Sequence, residues 1–156
     1  SFCDYIDNFW RLFIQVFPEV KEYLEAEPQT AASRYRDNNT GGNIIFRPVT
    51  LLQMIKAIVY ILTEDNTVTI ENILNKYCQI DRNVSGNLWD KIIWNSVSKT
   101  MLVNNQILLK YLFVYIYDSS VLKEKHLKDF YQRYELVKNI DRDSVQEHLN
   151  MLINNA

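Results

Sequence analysis

Glycine and proline are scarce in this chain, three of each in 156 residues. A β-sandwich or barrel needs frequent turn residues, so the shortage argues against one and for helices. Cysteine is almost missing as well. Cys3 and Cys78 stand far apart and form no CxxC, which excludes a disulfide framework or a zinc-type spacing. They read as reduced thiols of an intracellular, cytoplasmic protein. The two histidines, His126 and His148, fall on separate expected helices and form no metal-ligand pair. No apolar run reaches membrane-spanning length: Ile107 to Tyr117 is the most apolar, and Lys110 interrupts it. The N-terminus carries no signal-peptide pattern. No phosphate loop or GxSxG elbow occurs, and Gly41-Gly42 lacks the lysine and spacing of a P-loop. No pair of carboxylates is marked out by an apolar setting. The expectation is therefore no catalytic residue, no metal, no cofactor and no membrane partner. A net charge of −2 gives no overall field for nucleic acid, so DNA binding would need a local basic patch.

What is present is an aromatic surplus, with ten tyrosines, and one well-punctuated central stretch. Gly41-Gly42 lets the backbone turn through positive φ. Ile44-Ile45-Phe46 favours extended structure. Arg47 is held out of the α region by the proline after it. Pro48 suits a first helical turn. Leu51, Leu52, Ile55, Ile58, Val59 and Leu62 then line one helical face. The unit reads as turn, short extended piece, helix.

The rest of the chain follows the same helical period. Asp4 to Phe17 reads as a helix with Tyr5, Phe9, Leu12, Phe13 and Val16 inward. Pro18 starts a second, with Glu19, Glu22 and Glu25 on a solvated side. Glu27 to Thr40 reads as a polar loop. Thr69 reads as the N-cap of Ile70 to Cys78. Asn87 to Trp94 reads as helical, its tryptophans packing in the core or at a groove edge. Met101 to Val103 reads as a short strand or a helix end. Gln106 to Tyr117 is apolar nearly all round, as the buried centre of a bundle is. Val121 to Lys138 is long, amphipathic and mildly basic, and Asp143 or Ser144 caps a last helix before Asn154-Asn155-Ala156 frays. Residues 1–156 are expected to form a single-domain all-α helical bundle of about six to seven helices, with room for a short β element near residues 43–46.

Arginines are the candidate binding residues. Arg34-Tyr35-Arg36 could meet phosphate and stack on a base, or form a solvated loop. Arg47 could present its planar fork to phosphate, or cap carbonyls as a structural arginine.

The run Gly41-Gly42-Asn43-Ile44-Ile45-Phe46-Arg47-Pro48-Val49 resembles the GG-hydrophobic-FRP-hydrophobic segment of DGQHR-domain proteins, the family that includes the DNA phosphorothioation protein DndB. Leu88-Trp89, Ile93-Trp94, Met101 and the apolar Leu108 to Tyr117 are similar to its later stretches. The likeness spans Arg34 to Tyr131. The Asp-Gly-Gln-His-Arg motif itself does not occur in the chain. The resemblance thus implies the helical C-terminal portion of a longer protein, non-catalytic, in a bacterial DNA-modification or restriction-linked system, supporting DNA binding or regulation. It carries over Gly41, Gly42, Arg47 and Pro48 as motif positions. Candidate DNA contacts are Arg34, Arg36 and Arg47. The alternative is a protein-interaction or oligomerisation module, motivated by the aromatic surplus and near-neutral charge.

Overall fold

The computed structural model describes residues 1–154. It is mainly helical. In chain order the elements are α1 (Phe2–Val16), α2 (Pro18–Glu25), α3 (Pro28–Tyr35), a 3-10 turn at Ile44–Phe46, α4 (Pro48–Glu64) and α5 (Ile70–Cys78). A two-residue hairpin follows, β1 (Trp94–Asn95) with β2 (Thr100–Met101), then α6 (Gln106–Tyr117), α7 (Glu124–Lys138) and α8 (Val145–Asn154). Each of the three prolines, Pro18, Pro28 and Pro48, occupies the first turn of a helix, where its missing N–H breaks no bond.

The all-α class holds, with eight α-helices among the described residues and one small β element. That element lies at 94–101. Near 43–46 there is one isolated antiparallel bridge, Asn43 to Asn83, and Ile44–Phe46 closes into a 3-10 turn. The segment read as a polar loop contains α3. Pro28 sets its start, and Ala31 and Tyr35, four apart, are buried, while the polar Gln29, Thr30 and Ser33 face out. The opposite correction falls at 87–94, which is turn and strand rather than helix. Leu88, Trp89, Ile92, Ile93 and Trp94 are all buried. The run does carry a helical period, with Asn87, Asp90 and Lys91 polar at i, i+3, i+4 and Leu88 and Ile92 apolar, but burial of all five apolar side chains overrides it. Of the C-terminal tripeptide, Asn154 ends α8, and residues 155 and 156 lie outside the described residues.

α6 is the centre of the assembly: it packs on α4, α5 and α7, and every residue from Leu108 to Ile116 except Lys110 is buried. Tyr77 of α5 spends its hydroxyl on the main-chain oxygen of Phe113, 3.0 Å away. Its phenol is therefore satisfied inside the core, and burial pushes its pKa far up. α5 carries the expected cap: the Thr69 hydroxyl accepts from the Asn72 amide at 3.2 Å, and Asn72 returns the bond. Two histidine–tyrosine pairs fasten α7. His126 Nδ1 lies 2.8 Å from the Tyr60 hydroxyl of α4, and His148 Nδ1 of α8 lies 2.8 Å from the Tyr134 hydroxyl.

Candidate functional site

The glycine pair makes a tight buckle between α3 and α4. Gly41 has φ +79° and Gly42 φ +75°. A Cβ on Gly41 would meet the Val84 side chain at 2.4 Å, and one on Gly42 the Tyr35 carbonyl oxygen at 2.0 Å. Both positions thus need glycine for space as well as for φ. The buckle is laced by main-chain bonds: Asn43 N to Tyr35 O at 3.0 Å, Ile44 N to Arg82 O at 2.9 Å, and Val84 N to Gly42 O at 2.9 Å. The Asn43 side chain accepts from Ile45 N at 2.9 Å and donates to Glu19 at 3.2 Å.

Arg47 serves this buckle. Its Nε and Nη2 donate to the Gly41 carbonyl at 2.8 and 2.6 Å. Burial and the nearby Arg36 charge lower its pKa. Among the two readings of Arg47, the geometry favours the carbonyl cap. Pro48 then opens α4 directly behind it. The motif positions Gly41, Gly42, Arg47 and Pro48 therefore act together, as one device that reverses the chain and launches a helix.

Two residues of the device were not legible beforehand. Glu19, expected on a solvated side, is buried, and its carboxylate pairs with the Arg82 guanidinium through Oε1 and, at 3.1 Å, Oε2. Arg82 also caps the carbonyls of Cys78 and, at 3.2 Å, Ile80, and its guanidinium carbon lies 5.4 Å from the Phe17 ring centroid. Burial raises the Glu19 pKa, but the Arg82 bond and charge, its own amide and Asn43 outweigh that and leave it lowered. The available signal was position. Glu19 lies between Phe17 and Val20, both inward, and Arg82 stands alone in the turn after an apolar helix end.

Arg34 and Arg36 lie on the outer rim. Both are exposed. Arg34 stands 3.6 Å from Glu22, whose carboxylate also accepts from the Tyr35 hydroxyl at 2.9 Å. Tyr35 itself is buried, its ring tilted against Phe46 at 4.6 Å between centroids, so it is not free to meet a base. Beside the rim a cleft of about 310 Å³ is bordered by Arg34, Thr40, Gly42, Asn83 and Ser85.

A second face lies on α1. Its second half buries Leu12 and Phe13 against α2 and α5, but its first half overhangs. Phe2 is 78 % exposed and Tyr5 73 %, and Ile6, Trp10 and Ile14 are exposed with them. Among the described residues, no three His, Cys, Asp or Glu side chains are placed to hold a metal, and no helix is long and apolar enough to cross a membrane. Comparison with protein families, with curated proteins and with solved structures finds no match.

Proposed function

We propose that this chain is the non-catalytic helical region of a protein like the DGQHR-domain family, and that it supports DNA binding or its regulation in a bacterial, cytoplasmic DNA-modification (phosphorothioation) or restriction-linked system. The supporting observation is that the segment carrying the resemblance folds as one device, and that Arg34 and Arg36, at the end of α3 just before it, are both exposed. In this reading Arg34 and Arg36 reach backbone phosphates, and Arg47 keeps the rim in place. Fluorescence anisotropy of labelled duplex DNA across a salt series tests it. The Arg34→Ala/Arg36→Ala pair is expected to weaken binding and to flatten the log–log salt slope by about two, close to one per lost phosphate contact. An unchanged slope removes both arginines from the interface. No binding by the wild type at low salt removes DNA contact from this region.

The overhang of α1 favours a second reading, a protein-interaction or oligomerisation module with no direct DNA contact. Exposed aromatic residues on one face are typical interface anchors. Sedimentation velocity of the wild type beside Phe2→Ser/Tyr5→Ser separates the two. Association lost in the variant supports this reading, and a strict monomer at high concentration counts against self-association.

A further inference from the structure

α7, α8 and the 87–91 turn border an open cavity of about 260 Å³ whose groups neither reading uses. Lys138 ends α7 and reaches across it. Its Nζ donates to the main-chain oxygens of Asn87 at 3.0 Å and Asp90 at 2.6 Å. An ammonium has three N–H donors, so one is left over. Nδ1 of His148 pairs with the Tyr134 hydroxyl at 2.8 Å; with the hydroxyl donating, the ring N–H sits on Nε2, which makes no hydrogen bond among the described residues. Lys91 borders the same cavity from a left-handed backbone, φ +66°, a conformation that side-chain-bearing residues seldom adopt. Met151 and Leu152 supply an apolar wall.

The charge balance decides what could enter. Two ammonium groups face one carboxylate, that of Asp90, and His148 adds a further positive charge when protonated. At roughly 30 Å³ per water, the volume suits a phosphate-sized ion with a few waters, and is too small for a nucleic-acid strand. We propose that this cavity binds a small oxyanion of the phosphate class, held by the spare N–H of Lys138 and by Nε2 of His148, with Lys91 at the mouth. Burial pushes the Lys138 ammonium down to about 8, against the Asp90 charge and with that of Lys91, and burial and Lys138 together lower His148. An anion between the two would restore both charges, so its arrival is coupled to proton uptake.

The site shares no residue with the Arg34–Arg36 rim, so either proposal can fail alone. NMR titration with inorganic phosphate, following the His148 ring and the Lys138 ammonium, tests it. Saturable shifts of both groups are expected, with affinity reduced about tenfold in Lys138→Met, the loss of one charge-assisted bond, and a smaller loss in the surface variant Lys91→Ala. If Lys138→Met does not fold, Lys91→Ala and His148→Asn carry the test. Resonances that stay fixed, or that move equally with sodium chloride at matched ionic strength, overturn the proposal. Glycerol phosphate and a 5′-phosphorylated dinucleotide, titrated in parallel, separate a free small phosphate from a nucleic-acid end. Tighter binding of the dinucleotide overturns the small-ligand assignment.

Discussion

Along α4 and α6 the chain is joined by apolar side chains, whereas at the glycine buckle it is joined by main-chain bonds around one ion pair. Met54, Ala57, Ile58 and Ile61 of α4 share a continuous core with Leu109, Leu112, Phe113 and Ile116 of α6. Such a contact is proportional to area and tolerates exchange of one hydrophobe for another. The buckle tolerates little. Its glycines have no room for a methyl group, and Glu19, Arg82, Asn43 and Arg47 each have specific partners. The first joint supplies most of the driving force for folding, and the second fixes which way the chain runs.

The largest expected effect tests that contrast directly. Arg82→Met leaves the Glu19 carboxylate buried and unpaired and should cost about 3–5 kcal/mol in urea unfolding, while the double variant Glu19→Met/Arg82→Met should recover much of it. A double variant that only sums the two single losses would mean that the pair is not a coupled unit. Next comes Leu112→Ala in α6, where the cavity left in the core should cost about 3 kcal/mol. Combined with Arg82→Met, it should add independently, and strong coupling would erase the distinction between the two joints.

Acid separates the regions by pH window. His126 and His148 have lowered pKa values because burial, and for both a nearby lysine charge, favours the neutral ring. Their contribution is present above the ordinary value of 6.5 and is lost as pH falls below it. Glu19 is lowered too, so its contribution is present above its ordinary 4.5 and is lost only as pH falls further. Stability should therefore fall in two steps, and Glu19→Gln should shrink the second, to which the lowered Asp4 and Asp65 carboxyls also contribute. A second step that survives undiminished in that variant would assign it to the other carboxylates. The smallest effect has the opposite sign. The Thr50 hydroxyl of α4 is buried without a hydrogen-bond partner among the described residues. Thr50→Val should gain about 0.5–1 kcal/mol, because the apolar joint has no use for a polar atom. A loss would show that Thr50 belongs to the polar joint.

The same contrast explains what was legible in the sequence. α4, α5 and α6 were placed to within a residue or two because each announces a face or a cap in its own local pattern, as with Thr69 before Ile70. The Gly41–Pro48 stretch was recognisable as a turn feeding a helix because glycine and proline have local backbone meanings. The ion pair was not legible, because Glu19 and Arg82 are sixty-three residues apart and nothing near either one specifies the other. The turn at 87–94 failed for a related reason. Trp89 is held by a distant partner, the Phe113 ring of α6 at 5.5 Å between centroids, and tertiary burial overrode the local spacing.

The unsupported first half of α1 has a consequence for motion. Amide protons from Phe2 to about Phe9 belong to turns that bury little, so local fraying should release them to solvent long before the amides near Leu12 and Phe13 open. One helix would then show a steep gradient of hydrogen exchange along its length. Anything that settles on Phe2, Tyr5 and Ile6 would flatten that gradient, so α1 can report by its own exchange rates when the face it presents has been covered.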